Sequence, residues 1–311
     1  MIADRRTRAV ASLHGLAVGD GFGSSFFVPG NFRGLHTRTL PRAPWFWTDD
    51  TEMACSVYAV VDRLGRIDQD ALAASFAKHH DFDRGYGAGV NRMLRLIRQE
   101  GGDWRELAAA AFDGRGSWGN GGAMRVAPLG AFFADDLDRV VREAAASAEV
   151  THTHPEGVAG AIAVAVAAAL DLRGPELLAA VAERTPPGLV RDGIATAAGL
   201  LHLQDSRSAA ATLGTGREVS AQDTVPLCLW AVAKYPHDFP EALWATALAS
   251  DDVDTTCAIV GGILGARLGI EAIPEEWLRS CEPLPKWAGV PTGRVEMWSG
   301  WNAPDDRYSI D

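Results

Sequence analysis

Cysteine is scarce: Cys55, Cys228, Cys257 and Cys281 lie in apolar surroundings, and none is paired in CxxC spacing. That pattern excludes a sequence-level zinc ribbon or redox motif, and the four read as small buried hydrophobes of a reducing cytoplasm. Long apolar runs are also missing. The most apolar stretch, residues 157–170, falls short of the about 20 residues a bilayer requires and reads as a core helix buried on all sides. Residues 1–9 carry arginines without a following apolar segment and cleavage site, so no signal peptide is expected and a cytoplasmic location is. Basic charge is in deficit, with 29 Lys and Arg against 40 Asp and Glu and a formal net charge of -11. This argues against general nucleic-acid binding, which needs clustered cations. It does not exclude an anionic ligand, because a helix N-terminus or a bound cation supplies local positive potential.

The alternation of strand and helix that marks a parallel sheet is absent too. Helical periodicity instead runs through residues 6–18, 53–64, 69–78, 89–100, 137–148, 156–170, 176–183, 189–203, 225–233, 239–249 and 256–268. The fold class is therefore all-α, with Gly and Pro gathered between the segments as turn chemistry requires. No compositional seam divides the chain, so a single domain over 1–311 is expected, with a monomer favoured. The tail 283–311, with Trp287, Trp298 and Trp301, is expected to wrap over the body without regular structure.

The densest chemistry lies in Thr48-Asp49-Asp50-Thr51-Glu52, echoed far along the chain by Asp251-Asp252-Val253-Asp254-Thr255-Thr256. Each cluster opens an apolar, helix-like run. An ordinary cap accounts for part of this: Thr48 or Asp49 would cap the helix, with Asp49 and Glu52 as a capping-box variant. A cap uses one acceptor, however, and three aspartates within four residues repel one another unless a cation relieves them. Hard oxygen ligands of this kind suit Mg²⁺ or Mn²⁺. Two acidic helix starts facing each other would hold one or two ions.

Several segments, in order, resemble the ADP-ribosylglycohydrolases. Gly15-Leu16-Ala17-Val18-Gly19-Asp20-Gly21-Phe22-Gly23 resembles that family's opening motif, and residues 47–54 its first metal motif. The most specific piece is the loop 116–130, which begins Gly116-Ser117-Trp118-Gly119-Asn120-Gly121-Gly122-Ala123-Met124. Thr151-His152, Leu213-Gly214-Thr215-Gly216 and Val225-Pro226 follow in family order, and the second acidic cluster sits where the family places its second metal motif.

The resemblance implies a compact orthogonal bundle of many helices with a dinuclear metal site in a central cleft. It implies hydrolysis at the ribose anomeric carbon of an ADP-ribosylated acceptor, which passes through an oxocarbenium-like state. Thr48, Asp49, Asp50, Asp252, Asp254 and Thr255 would be the ligands of two Mg²⁺ or Mn²⁺ ions, Asp254 bridging them. Asp50, Asp49 and Asp254 would be catalytic, with Asp50 preferred as general base. Ser117, Trp118, Gly119, Asn120, Gly121, Gly122, Met124, His152 and Tyr86 would meet the substrate, Trp118 by stacking, while His154 takes a helix-start position. Two departures from the family stand out. Asp251 and Val253 are expected to add charge and bulk beside the site, and Ser24-Ser25-Phe26-Phe27 occupies a stretch where relatives often carry a glutamate. Two other readings use the same residues: a metal-dependent hydrolase of another phosphorylated or glycosylated small molecule, and an inactive ADP-ribose-binding or structural relative.

Overall fold

The computed structural model describes residues 4–290. Every regular element among them is helical, and the β pairing amounts to isolated bridges, Trp45 with Cys281 and Gly119 with Ser220. The first third of the chain holds α1 (Arg5–Ser24), α2 (Phe32–Thr37), α3 (Asp49–Leu64), α4 (Gln69–His79) and α5 (Ala88–Glu100). Next come α6 (Trp104–Gly114), α7 (Ala127–Phe132), α8 (Leu137–Glu149), α9 (Pro155–Ala169), α10 (Gly174–Arg184) and α11 (Leu189–Gly199). The rest is α12 (Ser206–Leu213), α13 (Ala221–Lys234), α14 (Phe239–Ala249), α15 (Val253–Leu268) and α16 (Glu275–Ser280).

Each segment marked by helical periodicity falls in a helix, as the all-α reading requires. The helices that periodicity did not signal are α2, α6, α7, α12 and α16. Of these α2, α7 and α16 have only six residues, too few turns to display a 3.6-residue repeat. The largest error is in α1, expected to stop at Val18 and in fact continuing to Ser24. Gly19, Gly21 and Gly23 look like breakers in sequence, yet two of them lie on the face that meets α15. A Cβ built at Gly19 would stand 2.1 Å from the Cys257 carbonyl oxygen, and one at Gly23 2.4 Å from that of Val253. Further back, Gly15 and Gly261 approach in the same way, each virtual Cβ 2.3 or 2.2 Å from the other's carbonyl oxygen. The two helices therefore touch backbone to backbone, which tertiary packing favours over helix propensity.

This α1–α15 pair is the centre of the molecule, with α3 and α7 against both helices and α9, α13 and α14 against α15. One contiguous cluster of buried side chains runs from Ala17 to Cys281. At one end Phe22 packs between Phe26, Trp45, Trp244 and Trp277. The four cysteines are buried thiols. As described, the tail adds a short 3-10 turn, Lys286–Ala288, with Trp287 stacked on His79 at 3.7 Å. Trp298 and Trp301 lie outside the described residues. No helix among those described is long and apolar enough to cross a membrane.

Candidate metal and substrate site

The close crossing of α1 and α15 brings two acidic residues from opposite ends of the chain together at the first turn of α3. Asp20, fully buried in α1, accepts hydrogen bonds from the Thr48 amide (3.0 and 2.9 Å), the Thr48 hydroxyl (2.9 Å), the Thr51 amide (3.1 Å) and the Thr51 hydroxyl (2.6 Å). The α3 cap is thus supplied by another helix. Thr48 is the N-cap residue, but its side chain makes no capping bond. The capping-box reading of Glu52 is likewise corrected: its Oε2 accepts from the Asp81 amide (3.0 Å) and the Tyr86 hydroxyl (2.6 Å).

Carboxylate oxygens of Asp20, Asp50 and Asp254 lie within 4.8 Å of one another. Asp50 Oδ2 lies 3.0 Å from the Thr48 hydroxyl, whose one proton it shares with Asp20, whereas its Oδ1 is buried without a partner among the described residues. Burial, then the surrounding negative charge of Asp20, Asp254, Asp49 and Asp252, holds Asp50 well above the usual carboxylate range. Burial and Asp254 do the same for Asp49. Asp252 and Asp254 are also raised, mainly by burial. A carboxylate has about four lone-pair sites, and the donors around Asp20 fill them. Asp50 keeps one oxygen bare, whereas Asp254 Oδ1 accepts from the Thr255 amide at 2.9 Å and its carboxyl group hydrogen-bonds that of Asp252. An orphaned buried oxygen within a set of hard oxygen donors fits a divalent cation.

These shifts have a measurable consequence. Burial raises Glu52 to about 7, so folded protein holds a proton there that the unfolded chain has released, and the aspartates behave alike. The stability this confers is full below the unfolded carboxylate range and is lost as pH rises through about 7. In chelator the melting temperature is expected to fall roughly 5 to 10 °C between pH 5 and 8, and Mg²⁺ or Mn²⁺ should reduce that fall. A flat profile in chelator would contradict the charge crowding.

The second cluster meets the glycine-rich loop through Asn120, whose Nδ2 donates to Asp252 Oδ2 (2.7 Å) and to the Thr224 hydroxyl (3.0 Å). Thr255 also hydrogen-bonds the Asp252 carboxylate. Gly216, at φ 82°, lies so close to Asp252 that a Cβ there would stand 2.6 Å from its Cβ. The charge and bulk expected beside the site go elsewhere: exposed Asp251 accepts from the Thr215 hydroxyl at 2.7 Å, and Val253 joins the core.

On the loop, Ser117, Trp118, Gly119 and Gly121 are partly exposed, while Asn120 is buried. Gly119 and Gly121 lie on the His152 ring, and a Cβ at Gly121 would stand 2.7 Å from His152 Cε1. Trp118 packs 4.5 Å from Phe112, and 5.5 Å from His154. His154 caps α9 by accepting from the Glu156 amide. Three expected substrate residues are placed otherwise. Gly122 is buried with Ala148 3.3 Å from its virtual Cβ, and Met124 belongs to the core. Tyr86 is buried with its hydroxyl committed to Glu52, because the turn before α5 folds it inward. Within 24–27, Ser25 Oγ donates to the Gly21 carbonyl and Phe27 is 54% exposed, so no carboxylate projects from this turn.

Sequence reading missed two residues of this site. Asp20 is quoted only as part of a motif, although a lone acid inside a small, apolar helix was the available signal. Phe112 carries no such signal, since only the fold reveals an exposed phenylalanine at φ 52° beside Trp118.

The family model described as ADP-ribosylglycohydrolase matches residues 1–297. Among curated proteins, ADP-ribosylhydrolase ARH3 of Mus musculus is 32% identical over 291 residues, covering 82% of this chain and 76% of its own. ADP-ribosylarginine hydrolase Tri1 of Pseudomonas putida is 27% identical over 291 residues, covering 87% and 73%. A solved structure described as an ADP-ribosylglycohydrolase-related protein complex superposes with a TM-score of 0.59 at 23% identity, over 93% of this chain and 97% of that one.

Proposed function

The chain belongs to the ADP-ribosylglycohydrolase family, and from that premise we propose that it removes ADP-ribose from a modified acceptor by divalent-metal-assisted hydrolysis at the ribose anomeric carbon. The observation that carries this reading is the convergence of Asp20, Asp50 and Asp254 from three helices, with Asp50 Oδ1 buried and unpartnered. Thr48, Asp49, Asp50, Asp252, Asp254 and Thr255 would hold Mg²⁺ or Mn²⁺, with enough donors for two ions. When bound, the metal supplies positive charge that offsets the crowded carboxylates and polarises oxygen ligands.

The chain's own residues would do the rest. The Asp50 carboxylate would accept the proton of the attacking water. The carboxylates together favour the positive charge that develops on the ribose as the glycosidic bond breaks. Asn120 fixes Asp252 in register with the loop, so substrate and acidic cluster share one frame. Backbone amides around Gly119 and Gly121 are free of side-chain bulk and suit the diphosphate. Phe112 and Trp118 provide adjacent ring faces for the adenine. The continuous core from Ala17 to Cys281 supports one domain of this kind across the described residues.

Calorimetric titration of ADP-ribose with Mg²⁺ or Mn²⁺, then with chelator, tests the reading. Metal-dependent binding that is weakened at least tenfold in Asp252→Ala is expected, because that variant removes one ligand and strands the Asn120 donor. Absence of binding under every metal condition would sink it in favour of the broader hydrolase. Hydrolysis of ADP-ribosyl-arginine, ADP-ribosyl-serine, ADP-ribosylated nucleic acid and O-acetyl-ADP-ribose then identifies the acceptor.

A further inference from the structure

Arg125 lies in the turn ahead of α7, fully buried. Its Nη2 donates to the Ser147 carbonyl (2.8 Å) and to the Thr151 hydroxyl (3.0 Å), and its Nη1 lies 3.6 Å from Met53 Sδ. The guanidinium carbon sits 4.6 Å from the centre of the Phe76 ring. None of these contacts is a carboxylate, and Nε has no partner among the described residues. Burial lowers Arg125 to about 9, which leaves it charged at neutral pH. The Tyr86 and Asp49 groups favour its charge through space without touching it, but a buried charge with no carboxylate in direct contact is expensive to keep, and its hydrogen bonds point to what it does.

Arginine has donors only. The Thr151 oxygen must therefore accept from Arg125, leaving its own proton for its one other partner among the described residues, His152 Nδ1 at 2.6 Å. The reverse arrangement, with Nδ1 donating, would leave the buried Thr151 proton without an acceptor. His152 is itself buried, and burial followed by the Arg125 charge lowers it to about 3. The imidazole is thus neutral, with Nδ1 accepting and the proton on Nε2. That nitrogen lies 3.1 Å from a Cβ built at Gly119 and 3.0 Å from one at Gly121, and makes no hydrogen bond within the described residues.

We propose that Arg125 is a positioning residue that, through the Thr151 hydroxyl, holds His152 as the Nε2–H tautomer facing the glycine-rich loop, so that the imidazole offers bound ADP-ribose one fixed donor. The proposal rests on the reading of that loop as the ADP-ribose site. It gives a buried, unpaired arginine a task in recognition: a relay of two hydrogen bonds sets which ring nitrogen carries the proton.

Long-range ¹H–¹⁵N correlation on the ligand-free, ¹⁵N-histidine-labelled full chain reads the tautomer directly, His152 being assigned by its loss in His152→Gln. The wild type should show an unprotonated Nδ1 and a protonated Nε2 throughout pH 5 to 8. Thr151→Val, close in shape but without the hydroxyl, should mix the tautomers and weaken ADP-ribose binding roughly tenfold. Thr151→Ser should restore both, which a packing role for Thr151 would not require. Arg125→Met should mix the tautomers as well; the threonine pair decides the matter if that variant fails to fold. An Nδ1-protonated wild type overturns the proposal, and so does Thr151→Val with unchanged tautomer or unchanged affinity. If wild type shows the stated tautomer but binds no ADP-ribose, the functional reading fails and the relay survives as a property of the ligand-free protein.

Discussion

Asp50→Asn is expected to lower turnover roughly a thousandfold while raising the melting temperature of the metal-free protein by several degrees. The loss follows from the roles proposed for Asp50, general base and metal ligand, both of which this nearly isosteric step removes. The gain follows from the surroundings of the wild-type side chain. Asp50 Oδ1 is buried without a partner, and Asp20, Asp254, Asp49 and Asp252 all push its proton affinity upward. An asparagine amide in the same place donates toward those carboxylates and still accepts from Thr48. A residue kept for the fold would lose stability on substitution; one kept for chemistry at the fold's expense gains it. Single-turnover hydrolysis and thermal scanning in chelator measure the two effects independently. Wild-type turnover would remove Asp50 from the chemistry, and a lower melting temperature would make its charge structural.

The same crowding explains which parts of the site were legible in sequence. Asp49, Asp50, Asp252 and Asp254 announce themselves because adjacent acids at a helix start exceed what a cap needs. Asp20 does not, since a single aspartate among glycines and apolar residues looks incidental until α3 docks its first turn on it. Cap assignment failed for that reason: proximity in sequence favoured Thr48, whereas the group that satisfies the α3 amides comes from a helix 28 residues earlier. The placement of Tyr86 was illegible for a different reason, because an aromatic in a glycine-flanked turn can face a cleft or fold under it, and the Glu52 acceptor holds its hydroxyl inside. The fold class was readable from period alone. The path of α1 was not, because a glycine that breaks an exposed helix is the residue that permits a buried one to touch its neighbour.

That last point carries a large expected effect on stability. Gly19→Ala adds one carbon, and the carbon would lie 2.1 Å from the Cys257 carbonyl oxygen. The obstacle is backbone on the facing helix, so no rotamer change relieves it and α1 and α15 must separate. A cost of about 4 kcal/mol or more follows, above the usual range for one added methyl in a core. Gly89→Ala is the matched control: Gly89 lies in α5 with open space around its virtual Cβ, and the substitution should stabilise by about 0.4 to 1 kcal/mol. Separation would act on function as well, because Asp20 follows Gly19 directly and Asp254 is at the start of the facing helix. A folded Gly19→Ala protein, recovered at low temperature, should therefore bind Mn²⁺ more weakly than wild type although no ligand has been changed. Unchanged affinity with lost stability would mean that the α1–α15 spacing does not set the geometry of the acids; loss of both would mean that the glycine face of α1 builds the metal site.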